Sequence, residues 1–257
     1  FTVQLVWTFY LLQYVGCYAA VQPWVGITGG HKISIGNAPF IASLVRYTEK
    51  LPNGQARVDI CGGSIIHERF ILTAAHCVKG DSYYDVIRVG SSELYSGGFT
   101  YNVEKFIAHE NFTANIKSFE YDIALVKLKE SVKFNENVSK ISLADENIEV
   151  KPFSKVNITG WGRMGLKGRV SQTLRQVSVR VRPIKECMIY PWVTTKEICV
   201  WSYQKGSCKG DSGGPMTVGN VQIGIVSNGM ACGYMPSIFS KVSFLLSWIE
   251  DNINNNL

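Results

Sequence analysis

Gln176-Val-Ser-Val-Arg-Val-Arg182 alternates without a break: Val177, Val179 and Val181 fall on one side, Gln176, Ser178, Arg180 and Arg182 on the other. Successive side chains of a β-strand point to opposite faces, so this stretch reads as a strand with one face in a core and one in water. The same grammar repeats outward. Cys61-Gly-Gly-Ser-Ile-Ile66, Phe70-Ile-Leu-Thr73, Ile123-Ala-Leu-Val126, Val156-Asn-Ile-Thr159 and Val221-Gln-Ile-Gly-Ile-Val226 are short strand-like runs punctuated by Gly, Ser, Asn and Pro. Only the end of the chain changes period. Val242, Leu245, Leu246, Ile249 and Ile253 recur at three- and four-residue steps, which predicts one helix, terminated over Asn252 to Asn256. The expected class is all-β with a C-terminal helix.

The chain has 257 residues, 46% of them hydrophobic and 18% charged. Disorder, collagen and coiled coil are excluded by that composition, and the length supports one large domain or two packed units of roughly 100 residues each. No repeat or low-complexity linker marks a boundary, so a division near residue 145 is soft. The formal net charge of +6 is mild and no nucleic-acid-binding motif accompanies it. From Arg163 to Lys185 there are seven basic residues and no acid. With no aromatic residue interleaved, that segment reads as a solvated loop and strand face rather than a polyanion site.

Phe1 to Gly30 contains no Lys, Arg, Asp or Glu, and an apolar run from Leu5 to Val15 is followed by small residues at Gly16, Cys17, Ala19 and Ala20. Residues 1–19 read as a secretory signal missing its first residues, with a buried helix or a membrane anchor as the alternative. No later stretch is apolar enough to span a bilayer, so a secreted, extracellular product is expected. Setting Cys17 aside leaves Cys61, Cys77, Cys187, Cys199, Cys208 and Cys232, an even six without C-x-x-C spacing, for which three disulfides are the natural reading. Sequons at Asn111, Asn137 and Asn157 agree with export.

Chemistry concentrates in three places. Gly210-Asp-Ser-Gly-Gly-Pro215 sets a serine between an acid and two glycines, so the backbone can turn tightly, expose the hydroxyl and aim amide groups at one point. Thr73-Ala-Ala-His-Cys77 puts a histidine after an apolar strand, and Asp122-Ile-Ala-Leu125 opens another with an aspartate. A hydroxyl is inert near neutral pH until a base removes its proton, and an imidazole base needs a carboxylate to fix its tautomer. Taken singly, His76 reads as a hydrogen-bonded structural histidine, Asp122 as a turn residue and Ser212 as a turn serine.

The order His, Asp, Ser and the flanking residues strongly resemble the chymotrypsin-like (S1) serine peptidases. The resemblance runs from Ile27 onward: Ile27-Thr-Gly-Gly30 resembles the mature start, Pro39-Phe-Ile-Ala-Ser43 the first strand and Gly160-Trp-Gly162 the loop into the second half. It is most similar to the arthropod digestive chymotrypsins. It implies two antiparallel six-stranded β-barrels with the active site between them. It also implies disulfides Cys61–Cys77, Cys187–Cys199 and Cys208–Cys232. By the same resemblance Ser212 is the nucleophile, His76 the general base and then acid, and Asp122 the orienting carboxylate. The amides of Gly210 and Ser212 make the oxyanion hole, and no metal or organic cofactor is required. Ser227 supports Asp122 and the substrate. Gly206, Gly229 and Ser237 give a neutral primary pocket suited to Phe, Tyr, Leu or Met, and Lys209 at its entrance favours nearby acidic residues of the substrate.

Activation, by the same likeness, is a cut before Ile27 that frees an α-amine to pair with Asp211, leaving 20–26 as a short propeptide and 27–257 as the peptidase domain. Several residues depart from the family pattern. Gly26 replaces a basic residue before the cut, Asn228 a tryptophan of the substrate groove, and Phe70 and Phe239 a more usual Trp and Tyr. The expected partners are protein or peptide substrates and protein inhibitors, with no nucleic acid, no stable membrane anchor and a monomeric enzyme. The competing reading is a non-catalytic homologue acting as a secreted binding protein.

Overall fold

The computed structural model describes residues 27–50, 56–79, 84, 86–113 and 119–257. The expected signal 1–19 and propeptide 20–26 lie outside the described residues.

Val177, Val179 and Val181 all point inward from the strand Arg175–Arg182, as the alternation requires. They meet Val156, Ile158, Ile198, Met216, Ile223 and Phe239 in one core. That core is enclosed by the strand order Arg175–Arg182, Lys155–Gly160, Pro215–Val218, Val221–Gly229, Ser237–Lys241 and Glu197–Val200. Val181 and Arg182 pair back with Val200 and Cys199, which closes six antiparallel strands into a barrel.

The first half runs Phe99–Tyr101, Val86–Val89, Ile41–Lys50, Ala56–His67, Phe70–Thr73, Ala124–Leu128 and Val103–Ala108 around Leu44, Ile65, Phe70, Leu72, Ile87 and Leu125. Among the described residues this seven-strand path has no closing ladder, so it curls as an open counterpart of the second barrel. Phe70 and Phe239 are each fully buried, one in either core, and fill those cores as apolar rings.

Each half lends an end to the other. His31–Lys32 pairs with Arg175–Arg182 of the second barrel, while the helix Val242–Asn254 packs Val242, Leu245 and Ile249 into the first core. The seam also carries buried polar links. Ser64 Oγ donates to Gln222 Oε1 at 2.6 Å and the Gly62 amide to the Ser212 carbonyl at 2.7 Å. Buried polar groups left unpaired are costly, so these bonds fix one docking geometry of the two halves. The disulfides join Cys61 to Cys77, Cys187 to Cys199 and Cys208 to Cys232. Of the sequons, Asn111 is exposed, whereas Asn157 is half-buried in a strand with its Oδ1 accepting from Ser178 Oγ.

Candidate active site

The wholly buried strand Phe70–Thr73 delivers the chain into the single helical turn Ala75–Val78, which carries His76 to the seam. Thr73 Oγ1 donates to the Gly62 carbonyl at 2.8 Å, and the Cys77 bridge to Cys61 holds the turn from its other side. Asp122 arrives from the start of the next strand pair, just ahead of Ala124–Leu128, and has no solvent exposure. Its Oδ1 accepts the His76 amide at 2.9 Å and its Oδ2 faces His76 Nδ1 at 2.7 Å. An ionised carboxylate only accepts, so Nδ1 carries the proton and Nε2 is left as the basic nitrogen. Ser227 Oγ donates to the same Oδ2 at 2.6 Å, and Ser240 Oγ holds the Asp122 carbonyl at 2.9 Å. Burial by itself lowers the imidazole pKa, but the Asp122 charge and its hydrogen bond outweigh that and hold His76 above its ordinary value.

Ser212 stands on a turn that glycine makes possible. Gly210 and Gly213 have φ of +100° and +78°, in the left-handed region that side chains disfavour. A Cβ on Gly213 would lie 2.1 Å from Thr73 Oγ1, so the turn and the His76 strand approach as closely as backbone allows. Gly213 N–H donates to the Val226 carbonyl, and Gly214 N–H to that of Asp211. The amides of Gly210 and Ser212, by contrast, donate to no protein acceptor among the described residues. Ser212 and His76 together line two adjoining cavities of about 310 and 330 Å³, and no hydrogen bond joins their side chains in this state.

Asp211, next in sequence, points away into the protein. Fully buried, it accepts from the Gly162 amide at 2.7 Å and the Cys208 amide at 2.9 Å. Burial lifts its carboxyl to about 7, and those two donors only partly offset the cost of the charge. Ile27 is buried in the second core at a φ of +37°, an unfavourable torsion for a β-branched residue, and Thr28 forms an antiparallel bridge with Gly206.

The expected pocket residues come together. Gly229 pairs across the sheet with Ser237, and a Cβ at Gly206 would sit 4.0 Å from Ser237 Oγ, so the three positions share one neutral recess. Lys209 is exposed at the point where the two cavities meet.

Two groups of residues escaped the reading of the sequence. Phe119 lines the same cavity as Asn228 and stands edge-on to His76, and Trp192 and Tyr190 continue from it as an aromatic row. An aromatic wall is therefore present although position 228 lacks one. The smaller cavity is lined by Arg46 and Asp59, which carry no local motif, and by Arg163, whose basic run reads in sequence only as a solvated face. Among the described residues one group of possible metal ligands assembles, Cys61, His76 and Cys77, but its two sulfurs are bonded to each other and offer no thiolate. Among those residues no helix is long and apolar enough to cross a membrane.

The trypsin family model matches residues 27–249. The chain is 35% identical over 90% of its length to granzyme B(G,H) of Mus musculus, with 92% of that protein covered. It is 34% identical over 88% of its length to chymotrypsin-2 of Vespa crabro, with 99% covered, and 34% identical over 87% to trypsin theta of Drosophila melanogaster, with 84% covered. With its three disulfides, its closed six-strand barrel beside an open β counterpart and a match across nearly all the described chain, the protein belongs to the chymotrypsin-like (S1) family of serine peptidases.

Proposed function

We propose that this serine peptidase is a secreted endopeptidase that cleaves after aromatic or large apolar residues through an acyl-enzyme on Ser212. The observation that carries the reading is the Asp122 carboxylate. Buried and taken up by the His76 amide, His76 Nδ1 and Ser227 Oγ, it leaves Nε2 as the basic nitrogen of a histidine that lines the same cavity as Ser212.

In the first half-reaction Ser212 Oγ attacks the scissile carbonyl carbon while Nε2 takes the hydroxyl proton. The oxyanion that forms accepts from the unoccupied amides of Gly210 and Ser212, an interaction typically contributing about 3 kcal/mol per donor to the transition state. The imidazolium, stabilised by Asp122, then gives its proton to the leaving amine and the C–N bond breaks. In the second, water loses a proton to Nε2 as its oxygen attacks the ester, and Ser212 Oγ recovers that proton on release of the acid. The neutral recess of Gly206, Gly229 and Ser237 supports an apolar side chain before the scissile bond, since it offers no carboxylate to a Lys or Arg.

Residues 1–19 act as the signal and 20–26 as the propeptide of this reading. A cut before Ile27 abolishes its unfavourable φ and supplies an α-amine as the cation that buried Asp211 lacks among its hydrogen-bond donors.

Intact mass of the secreted chain, with and without a fluorophosphonate that reacts only with an activated serine, tests the proposal. One adduct on a chain beginning at Ile27, absent in Ser212→Ala, is the expected result, followed by faster cleavage after Phe or Leu than after Arg. A chain beginning at Ile27 that takes no adduct would make it a binding protein instead.

A further inference from the structure

The sequons take no part in the peptidase chemistry, and the fold separates them. Asn157 lies inside the sheet, paired with Ser178 on one side and Thr217 on the other. Thr159, which completes its triplet, has no solvent exposure, and its Oγ1 accepts from Gln176 Nε2 at 3.0 Å. A glycan at Asn157 would break both ladders. Asn111 and Thr113 instead stand exposed outside the strands, and neither side chain makes a hydrogen bond among the described residues. An N-glycan is bulky and takes such a surface turn.

That turn is tied to the catalytic elements. The His109 amide donates to the carbonyl of Ile123, next to Asp122, at 3.0 Å, and the Phe112 amide to the His109 carbonyl at 3.1 Å. Trp248 Nε1 donates to Glu110 Oε2 at 3.0 Å, and its ring stacks on His109 with centroids 5.0 Å apart. Lys79, just past the helical turn of His76, donates to the Phe112 carbonyl and lies over the Phe112 ring. Phe112 is fully buried, its ring 6.5 Å from that of Phe119, which is in turn 6.5 Å from the His76 imidazole. Asn111 is therefore rooted one residue from an aromatic pair that ends at the base, beside the Phe119 wall of the cleft.

On the basis of the secreted-peptidase reading above, we propose that Asn111 carries an N-linked glycan that overhangs the Phe119 side of the cleft as a size filter, admitting extended peptides and hindering folded protein surfaces. A branched sugar rooted there narrows the angles from which a large partner can dock, while a short extended chain passes beneath it. It touches no reacting atom, so a small anilide is turned over at the same rate with or without it.

The test uses the chain secreted from eukaryotic cells and cut before Ile27. Peptide N-glycosidase in heavy-oxygen water converts each glycosylated Asn to a labelled Asp, and mass mapping should place that label at Asn111 and not at Asn157. One cleavable sequence is then offered both as a free quenched peptide and grafted into a surface loop of a folded carrier protein, with an anilide beside them. Intact enzyme is compared with enzyme trimmed by endoglycosidase after folding, and with Asn111→Gln and Thr113→Ala. The two variants lose the sequon through different residues, so a folding defect in one leaves the other. Loss of the glycan should raise kcat/KM for the grafted substrate by about threefold or more relative to the free peptide, as association is freed from a narrowed approach. Anilide turnover should not change. A gain on trimming that neither variant reproduces would place the filter at another sugar and overturn the inference. Asn111 without label on a secreted chain that hydrolyses the anilide, or a ratio unchanged by removing the sugar, would also overturn it while leaving the peptidase reading standing. A chain that is not exported, or one beginning at Ile27 that hydrolyses neither anilide nor peptide, would overturn both.

Discussion

Asp122 Oδ2 is shared by two donors from opposite halves of the molecule: His76 Nδ1 at 2.7 Å from the first and Ser227 Oγ at 2.6 Å from the second. The imidazole is thus aimed by a carboxylate that is itself held across the seam.

Removing either member should show different signatures. Asp122→Asn is expected to lower kcat by about 10⁴-fold, because an amide fixes the wrong tautomer. Ser227→Ala should cost about 10- to 100-fold in kcat/KM, the size of one hydrogen bond to a charged acceptor. Steady-state kinetics on an anilide substrate distinguishes them.

The pH profile has a definite sign at His76. Only neutral imidazole can take the serine proton, so activity is lost as pH falls through a pKa that Asp122 holds above the ordinary value. Residual activity of Asp122→Asn should therefore extend to lower pH. A limb that stays in place would contradict the assignment of that shift to Asp122.

Asp211 ties stability to proteolytic processing. In the uncut chain its carboxyl titrates near 7 when folded and near 4 when unfolded. Between those values the native state binds a proton that the unfolded state has lost, so the melting temperature should fall as pH rises from about 4 to about 7 and then level off. After a cut before Ile27, the paired amine has a pKa raised above about 8. Its contribution is complete below that value and disappears as pH rises through the folded pKa. Thermal melts of uncut and cut Ser212→Ala protein should place the loss of stability in these two separate pH windows.

Gly162 is the seat of that carboxylate. A Cβ there would lie 2.2 Å from Asp211 Oδ2. Gly162→Ala should cost about 1–3 kcal/mol by overpacking and lower activity by shifting the turn that carries Ser212. Denaturant unfolding and fluorophosphonate labelling measure the two effects separately.

Charge in the recess should set preference. Ser237→Asp places a carboxylate beside Gly206 and facing Gly229, and the ratio of Lys or Arg to Phe cleavage should rise at least about tenfold. A profile with unchanged preference would show that the side chain before the scissile bond binds elsewhere.

Local periodicity carries the strands and the helix: Val177, Val179 and Val181 are buried as their alternation implies, and Val242, Leu245 and Ile249 as their spacing implies. The motif around Ser212 was legible because glycine is demanded there by torsion and by contact. Phe119, Trp192, Arg46 and Asp59 were not. Their meaning lies in which cavity they line, and that depends on how the halves dock, a long-range outcome that no window of sequence contains. The open ladder path of the first half was equally hidden, since closure depends on register between strands remote in sequence.

The bonds across the seam, Gly62 to Ser212, Ser64 to Gln222 and Ser240 to Asp122, make alignment of the reacting groups a property of neither barrel alone. Slippage of the halves by a fraction of an ångström parts nucleophile, base and carboxylate while both cores stay packed. Mild denaturant or heat should silence turnover before far-ultraviolet circular dichroism records any loss of strand, so the rate of hydrolysis serves as a gauge of how the barrels are seated.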